Sequence, residues 1–481
     1  MAFSSSSLVL ASLLLIAPAS VSAISATEPA LRSTSVYNGR PVFGPCLLPR
    51  LSDDGRFLSM ACLSSDAVFG DDNDRYDTVL KDLSLGTTER ISLDESNHEV
   101  RQHSGVGIPS PDGRYVVFNA QGVFHRDVGW IPVGPADAST NNVFLRDTAA
   151  GTTELVSRDY RGNGNPESLG AYLRDATPSR NEALFSSEAN YLGSPGPRPV
   201  FVHELFVRNW ATGAIERISA RPDGGQSSSS ALLSVLDRNG RYVAFVSDAT
   251  DITADNPLGH SQLFLRDRQS HTTTRLTRRY DGAEFSTSPF FYDPKGTTGL
   301  EQILFGAAFA AGFTPDDSSS WLRLYLLNRT TGTVELLSRG SAGEPVDNST
   351  FAYDISADGR VVAFFTRATN ILPTPNPATA IYVKDRTTGQ IINVTAPLGT
   401  SGTFVADLDL SADGRRLAFS WRTRDPAQPA IDDRILVYTV DLAFGEPSDA
   451  PVAVPLSRHV AIALLGLLAA IGMAAVRHRR C

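Results

Sequence analysis

The chain has 481 residues, 42% of them hydrophobic, with 38 glycines, 29 prolines and a formal net charge of −9. These values suit a large β protein, and an acidic body disfavours nucleic acid and bare polyanions, whose recognition rests on Lys and Arg meeting phosphate. The four arginines Arg458, Arg477, Arg479 and Arg480 all lie beyond the last acid, Asp449, so the rest of the chain is more acidic than the total suggests.

At the start, Leu8 to Ala17 is a short apolar run broken by Pro18 and followed by Val21-Ser22-Ala23, small residues at the spacing a signal peptidase accepts. Residues 1–23 therefore read as a secretory signal cleaved after Ala23, although the first residues carry no Lys or Arg. Ala30 to Thr34 then reads as an outer strand without a blade of its own, because Tyr37-Asn38-Gly39 copies Tyr280-Asp281-Gly282, which follows such a strand further on.

From Cys46 onward one unit repeats: an apolar strand, an Asp-Gly-Arg turn, a second apolar strand, a long loop, and a third strand ending in Asp or Asn before a turn. Gly55, Gly113, Gly240, Gly359 and Gly414 mark five copies. Ser179-Arg180-Asn181 and Asp293-Pro294-Lys295-Gly296 read as degenerate turns of two more, giving seven. The third strands end at Asp82, Asp147, Asn209, Asp267, Asn328, Asp385 and Asp441. A unit of about sixty residues cannot bury both faces of its small sheet alone and must stack on neighbours, which a propeller does by radial repetition. The repeated acids are turn chemistry in this reading, since Asp and Asn hydrogen-bond backbone two residues on and Gly accepts positive φ.

The S-x-D-G-R-hydrophobic strand, with its partner strand ending in Asp before Thr-Gly, resembles the TolB-like, WD40-like β-propeller repeats of bacterial envelope proteins, over roughly Leu31 to Asp441. The resemblance implies an all-β fold: a seven-bladed β-propeller of four-stranded blades spanning 24–441. The seventh copy stops at Asp441 without an outer strand, so the N-terminal strand is expected to close the last blade and remove an exposed edge.

Cys46 and Cys62 are expected to form a disulfide. A hairpin around Asp53-Asp54-Gly55 that pairs Ser52 with Arg56 sets the two cysteines opposite each other, and export permits the bond. Cys481 is left out, being beyond the membrane segment on the reducing side. The run Asp71 to Asp77 reads as a solvated acidic loop; the alternative is a calcium site through Asp72, Asp74 and Asp77, hard oxygen ligands at alternating positions. It lacks the Gly and terminal Glu of an EF-hand.

Within a blade the tight turns fall on one face and the long loops between second and third strands on the other, and function favours the long-loop face. Its insertion Gln121 to Asn141 carries His125 and Trp130, and a later loop ends at Trp321; these three are the candidate ligand-binding residues, the tryptophans offering flat faces to a sugar or an apolar partner. No spacing carries catalysis: G-x-S-x-G and the phosphate-binding loop are missing, and His98-Glu99 with His103 is one residue too long for a zinc-binding helix. No cofactor is expected beyond that calcium.

A linker, 442–453, leads to Val454-Pro455-Leu456-Ser457, the apolar run Val460 to Val476 and the basic Arg477-His478-Arg479-Arg480. The run, about 17 residues, meets the lower limit for a transmembrane helix with its basic end in the cytoplasm. This three-part tail resembles the IPTL-CTERM and PEP-CTERM sorting signals of Gram-negative bacteria, lacking the Thr of I-P-T-L-S; the resemblance implies processing by an exosortase, the alternative being a plain membrane anchor. The sequence thus leads to an exported, surface-directed, non-enzymatic binding or scaffold protein of a Gram-negative envelope, held at least transiently in the inner membrane, with an envelope or extracellular protein or glycan as partner. The alternative is a propeller hydrolase or lyase acting on envelope or extracellular polymers.

Overall fold

The computed structural model describes residues 45–444 apart from internal stretches (64–67, 69–70, 72, 74, 95, 101, 122, 126–128, 132–140, 159–169, 189–201, 309–311, 317–320, 374–378, 399–406 and 424–433), together with residues 31–33, 36–37 and 40–41. The chain divides into two units, Met1–Ala443 and Phe444–Cys481. The expected signal, 1–23, and the sorting motif Val454, Pro455, Leu456 and Ser457 with its helix lie outside the described residues. Among the described residues no helix is long and apolar enough to cross a membrane.

Seven antiparallel sheets form the blades of a β-propeller. The first blade comprises Cys46–Leu51, Phe57–Cys62, Asp77–Asp82 and Thr88–Arg90, in that order from inner to outer strand. The second, third and fourth repeat the order from inner strands Ser104–Pro109, Ala171–Thr177 and Ala231–Leu236, and the sixth from Thr350–Ile355. The fifth is irregular, its inner edge split into Phe290–Phe291 and Lys295–Gly296, both paired with Gln302–Ala308. In the seventh, Leu408–Leu410, Arg416–Thr423 and Arg434–Asp441 are consecutive, and Leu31–Ser33 lies antiparallel to the last of these with Leu31 opposite Val440 and Ser33 opposite Tyr438.

Because each sheet is covered on both faces by its neighbours, second strands lose the polar alternation of a half-exposed strand. Phe57–Cys62, Glu182–Ser187 and Val361–Thr366 are buried at every position. The core is accordingly a set of layers between blades. Leu184 and Val207 of the third blade meet Val243 and Phe264 of the fourth. Leu58 and Val79 of the first meet Ala418 and Val437 of the seventh, so the ends of the chain's repeat share one core. Directly opposed aromatic pairs, Phe118 with Phe144, Phe185 with Phe206 and Phe245 with Phe264, hold second to third strands with ring centroids 5.7 to 5.9 Å apart, each adding about 0.5–1 kcal/mol.

The repeated turn is a small hydrogen-bonded circuit. In the first blade the Ser52 hydroxyl donates to Asp54 and accepts from the Phe57 N–H, Asp54 accepts from the Arg56 N–H, and Gly55 takes φ of 69°. Ser110 with Asp112, Ser356 with Asp358 and Ser411 with Asp413 repeat it. The fifth-blade turn differs from the expected Asp293-Pro294-Lys295-Gly296. Lys295 and Gly296 belong to the inner strand, and the turn is Thr297 to Gln302, where the Thr297 hydroxyl accepts from the Gln302 N–H as Ser52 does from Phe57. Gly299 and Leu300 supply its positive φ values.

The hairpin register also differs from the expected one. Ser52 faces Phe57 rather than Arg56, which offsets the strands by one residue; a β-bulge between Leu47 and Arg50, with Leu48 at φ of 53°, restores it further along. Cys46 therefore sits opposite Cys62, and the two are joined by a disulfide. Inner-strand bulges recur in the second, third, fourth and sixth blades.

Candidate ligand site in the central channel

The inner strands of all seven blades converge on a polar channel. Towards the tight-turn end it holds a cavity of about 140 Å³ lined by charged side chains from six of the blades: Arg50 and Asp53, Arg174 and Asp175, Arg238, Lys295, Asp354 and Asp409. Most of these acids bind the next blade. Asp175 accepts the Leu236 N–H at 2.8 Å, Asp354 the Leu410 N–H at 2.8 Å, and Asp409 the Leu51 N–H at 2.7 Å. Arg50 lies 2.9 Å from Asp407 and 3.7 Å from Asp409, and Arg238 lies 2.9 Å from Asp53, joining the fourth blade to the first.

These contacts set the electrostatics. Burial pushes the Asp409 carboxyl up to about 7 despite Arg50, and burial likewise raises Asp175. Burial opposes the charge on Arg50 and Lys295, but the surrounding acids, Asp407 and Asp409 for the first and Asp354, Asp293 and Asp407 for the second, outweigh it and hold both above their ordinary values. The channel thus keeps cations among acids of which Asp175, Asp354 and Asp409 are already bound to backbone.

At the long-loop end the channel opens into a pocket of about 520 Å³ whose lining includes Phe290, Tyr292, Phe351, Tyr353, Arg50 and Lys295. The fifth-blade sequence explains the shape. Pro294 has no N–H to give a strand ladder, and Phe290–Phe291 stops short of it. Tyr353 of the sixth blade fills the break, donating its hydroxyl proton to the Asp293 carbonyl and accepting the Gly306 N–H. Burial raises that phenol well above its usual range, so it stays protonated. Phe291 turns into the core, while Phe290 and Tyr292, 5.3 Å apart edge to face, remain 56% and 38% exposed.

The residues expected to bind ligand are distributed differently. His125 and Trp130 belong to a small hairpin, Val123–His125 paired with Gly129–Ile131, whose side chains lie outside the described residues. Trp321 is 45% exposed but lines neither cavity. The long-loop pocket is lined instead by Phe290-Phe291-Tyr292, three successive aromatics just ahead of Asp293-Pro294 and visible as a run in the sequence.

Of the expected calcium ligands, Asp72 and Asp74 lie outside the described residues. Asp77 begins a third strand and is buried beside Asp71 and Glu99. Burial pushes its carboxyl up to about 6, against the Ser92 hydrogen bond and Arg90.

The fold and channel define a seven-bladed β-propeller with an aromatic mouth over a charged throat. Among solved structures it is similar to oligogalacturonate lyase from Vibrio parahaemolyticus, at 12% identity and a TM-score of 0.52 over 87% of this chain and 95% of that one. The β-propeller domain of the Trilobed protease from Pyrococcus furiosus gives 11% identity and 0.47 over 84% and 100%, and TolB from Acinetobacter baumannii 13% and 0.37 over 77% of each chain. No family model matches the chain, and no curated protein does. At such identities the likeness to the lyase is one of fold alone.

Proposed function

We propose that this chain is an exported, non-enzymatic binding or scaffold protein of a Gram-negative cell envelope, and that it takes its partner at the long-loop mouth of the channel. The observation that carries the reading is the exposure of Phe290 and Tyr292 over Arg50 and Lys295. Rings left in water where an inner strand meets a channel are a standing source of binding free energy, about 1 kcal/mol for each once covered, since roughly half of each is already buried. A partner with a flat or apolar face would cover them, and its polar groups would reach the two cations below. The disulfide suits an oxidising compartment, in keeping with the signal read in residues 1–23. In this reading Leu31–Ser33, lying on Arg434–Asp441, closes the ring, and the tail is anchored or processed by an exosortase.

The test is retention of envelope material by full-length protein and by a Phe290→Ala/Tyr292→Ala variant. The variant should retain at least about tenfold less of the same partner, since losing two buried rings exceeds about 1.4 kcal/mol, while melting close to wild type because both rings are exposed. Equal retention would remove the mouth as the site. Release of shortened product by the wild type would return the polymer-cleaving alternative.

A further inference from the structure

The long-loop end of the first blade carries a second group of side chains that the channel does not use. Asp77 opens the third strand, Asp71 lies on the loop before it, and Glu99 lies on the connector leading from Thr88–Arg90 to the inner strand of the second blade. That connector folds back on itself through a bridge between Leu93 and Glu99, which brings Glu99 to the other two. One carboxylate oxygen from each residue lies within 4.8 Å of the others.

Three acids together are not a site in themselves, because exposed acids gather on many surfaces without a ligand. Here they are out of water: Asp77 is 1% and Asp71 8% exposed. Asp77 spends one oxygen on the Ser92 hydroxyl and has its Oδ2 3.7 Å from the Arg90 guanidinium, whereas the Oδ2 of Asp71 is buried with no hydrogen-bond donor. A buried carboxylate oxygen without a donor is costly, and this one belongs to a residue of the cluster. Arg90 is the nearby cation, its Nε 3.7 Å from Asp77 and its Nη1 3.3 Å from Glu99. One guanidinium against three carboxylates leaves a charge deficit that a divalent cation would fill.

The donor set narrows the cation: three carboxylates without His or Cys suit the hard ions, and Ca²⁺ accepts an irregular oxygen set more readily than Mg²⁺, which demands a near-ideal octahedron. We propose that Asp71, Asp77 and Glu99 form a calcium site that fastens the long loop of the first blade to the connector entering the second. Hydrogen bonds already join the same segments, among them those from the Asn73 amide to the Val100 carbonyl and from the Tyr76 N–H to His103. The ion is a further fastening, and its remaining positions are filled by water.

Full-length protein stripped with a chelator is titrated with calcium and with magnesium, reading stoichiometry by calorimetry and the melting temperature in parallel. One calcium per chain is expected, with a rise of about 5 °C at saturation and a much smaller response to equal magnesium. Asp71→Asn and Glu99→Gln keep shape and remove charge, so both variants should fold when stripped, bind calcium at least about tenfold more weakly and lose most of the rise. The proposal is overturned if the wild type binds no calcium at millimolar concentration, if either variant keeps the wild-type response, or if magnesium does as well as calcium.

Discussion

Five third strands end in Asp and two in Asn, and the difference follows from one arginine. Asp82, Asp147, Asp267 and Asp385 each pair with the Arg of the tight turn in their own blade, Arg56, Arg114, Arg241 and Arg360, at 2.6 to 2.9 Å. In the seventh blade the partner of Asp441 is Arg416, one residue further on. Asn181 and Glu301 stand where the third and fifth turns would carry that arginine, and there the strand ends in Asn209 and Asn328. Asn still accepts from the following N–H groups, as Asn328 does from Thr330 and Thr331, without leaving an unpaired charge. The expected turn role of these residues therefore holds, and an ion pair lies on top of it. Arg360→Ala should cost about 2–3 kcal/mol, because Asp385 is fully buried and would lose its counter-ion; adding Asp385→Asn should recover most of that in a denaturant double-mutant cycle. The Arg360 hydrogen bond helps hold Asp385 below its usual range although burial opposes it, so this stability is present above about pH 4 and is lost as pH falls through the lowered value.

Strands and tight turns were legible because their chemistry is local: short apolar runs bounded by turns, Ser and Asp around a Gly, Asp before Thr-Gly. The channel was not, since its partners are remote in sequence. Arg50 and Asp407 are 357 residues apart, and neither belongs to a motif. The inner-strand bulge was equally silent, because an added residue at Leu48 and Pro49 leaves the strand pattern intact. Among these remote contacts, the Asp409 bond to the next blade has a pH signature. With its carboxyl at about 7 in the folded state and near 3.9 unfolded, the native chain holds a proton between about pH 4 and 7 that the unfolded chain has lost, so stability declines as pH rises through that window. Asp409→Asn, which can still accept from the Leu51 N–H, should flatten that decline and be no less stable than wild type at pH 8. Urea midpoints at pH 5 and pH 8 decide it, and parallel changes in both proteins would remove Asp409 as the cause.

At the scale of the whole molecule, the first and last blades share a core and a backbone hydrogen bond from Ala412 N–H to the Asp53 carbonyl, and Leu31–Ser33 lies along the last consecutive strand. If that strand closes the ring, a chain lacking residues 24–35 behind its signal will show the unpaired edge of Arg434–Asp441 and will melt lower and aggregate; melting with the full chain would place closure in the shared core alone. Seven similar units give a circle no preferred bearing: a partner lying flat on it could sit equally well at any azimuth. The fifth blade breaks that equivalence, with its split inner edge, displaced turn and adjoining aromatics. A guest held there, as proposed, would rest off the axis, against the fifth and sixth blades, with its other end aimed across the opening. The most eroded copy of the repeat would then be the one that gives the ring an orientation.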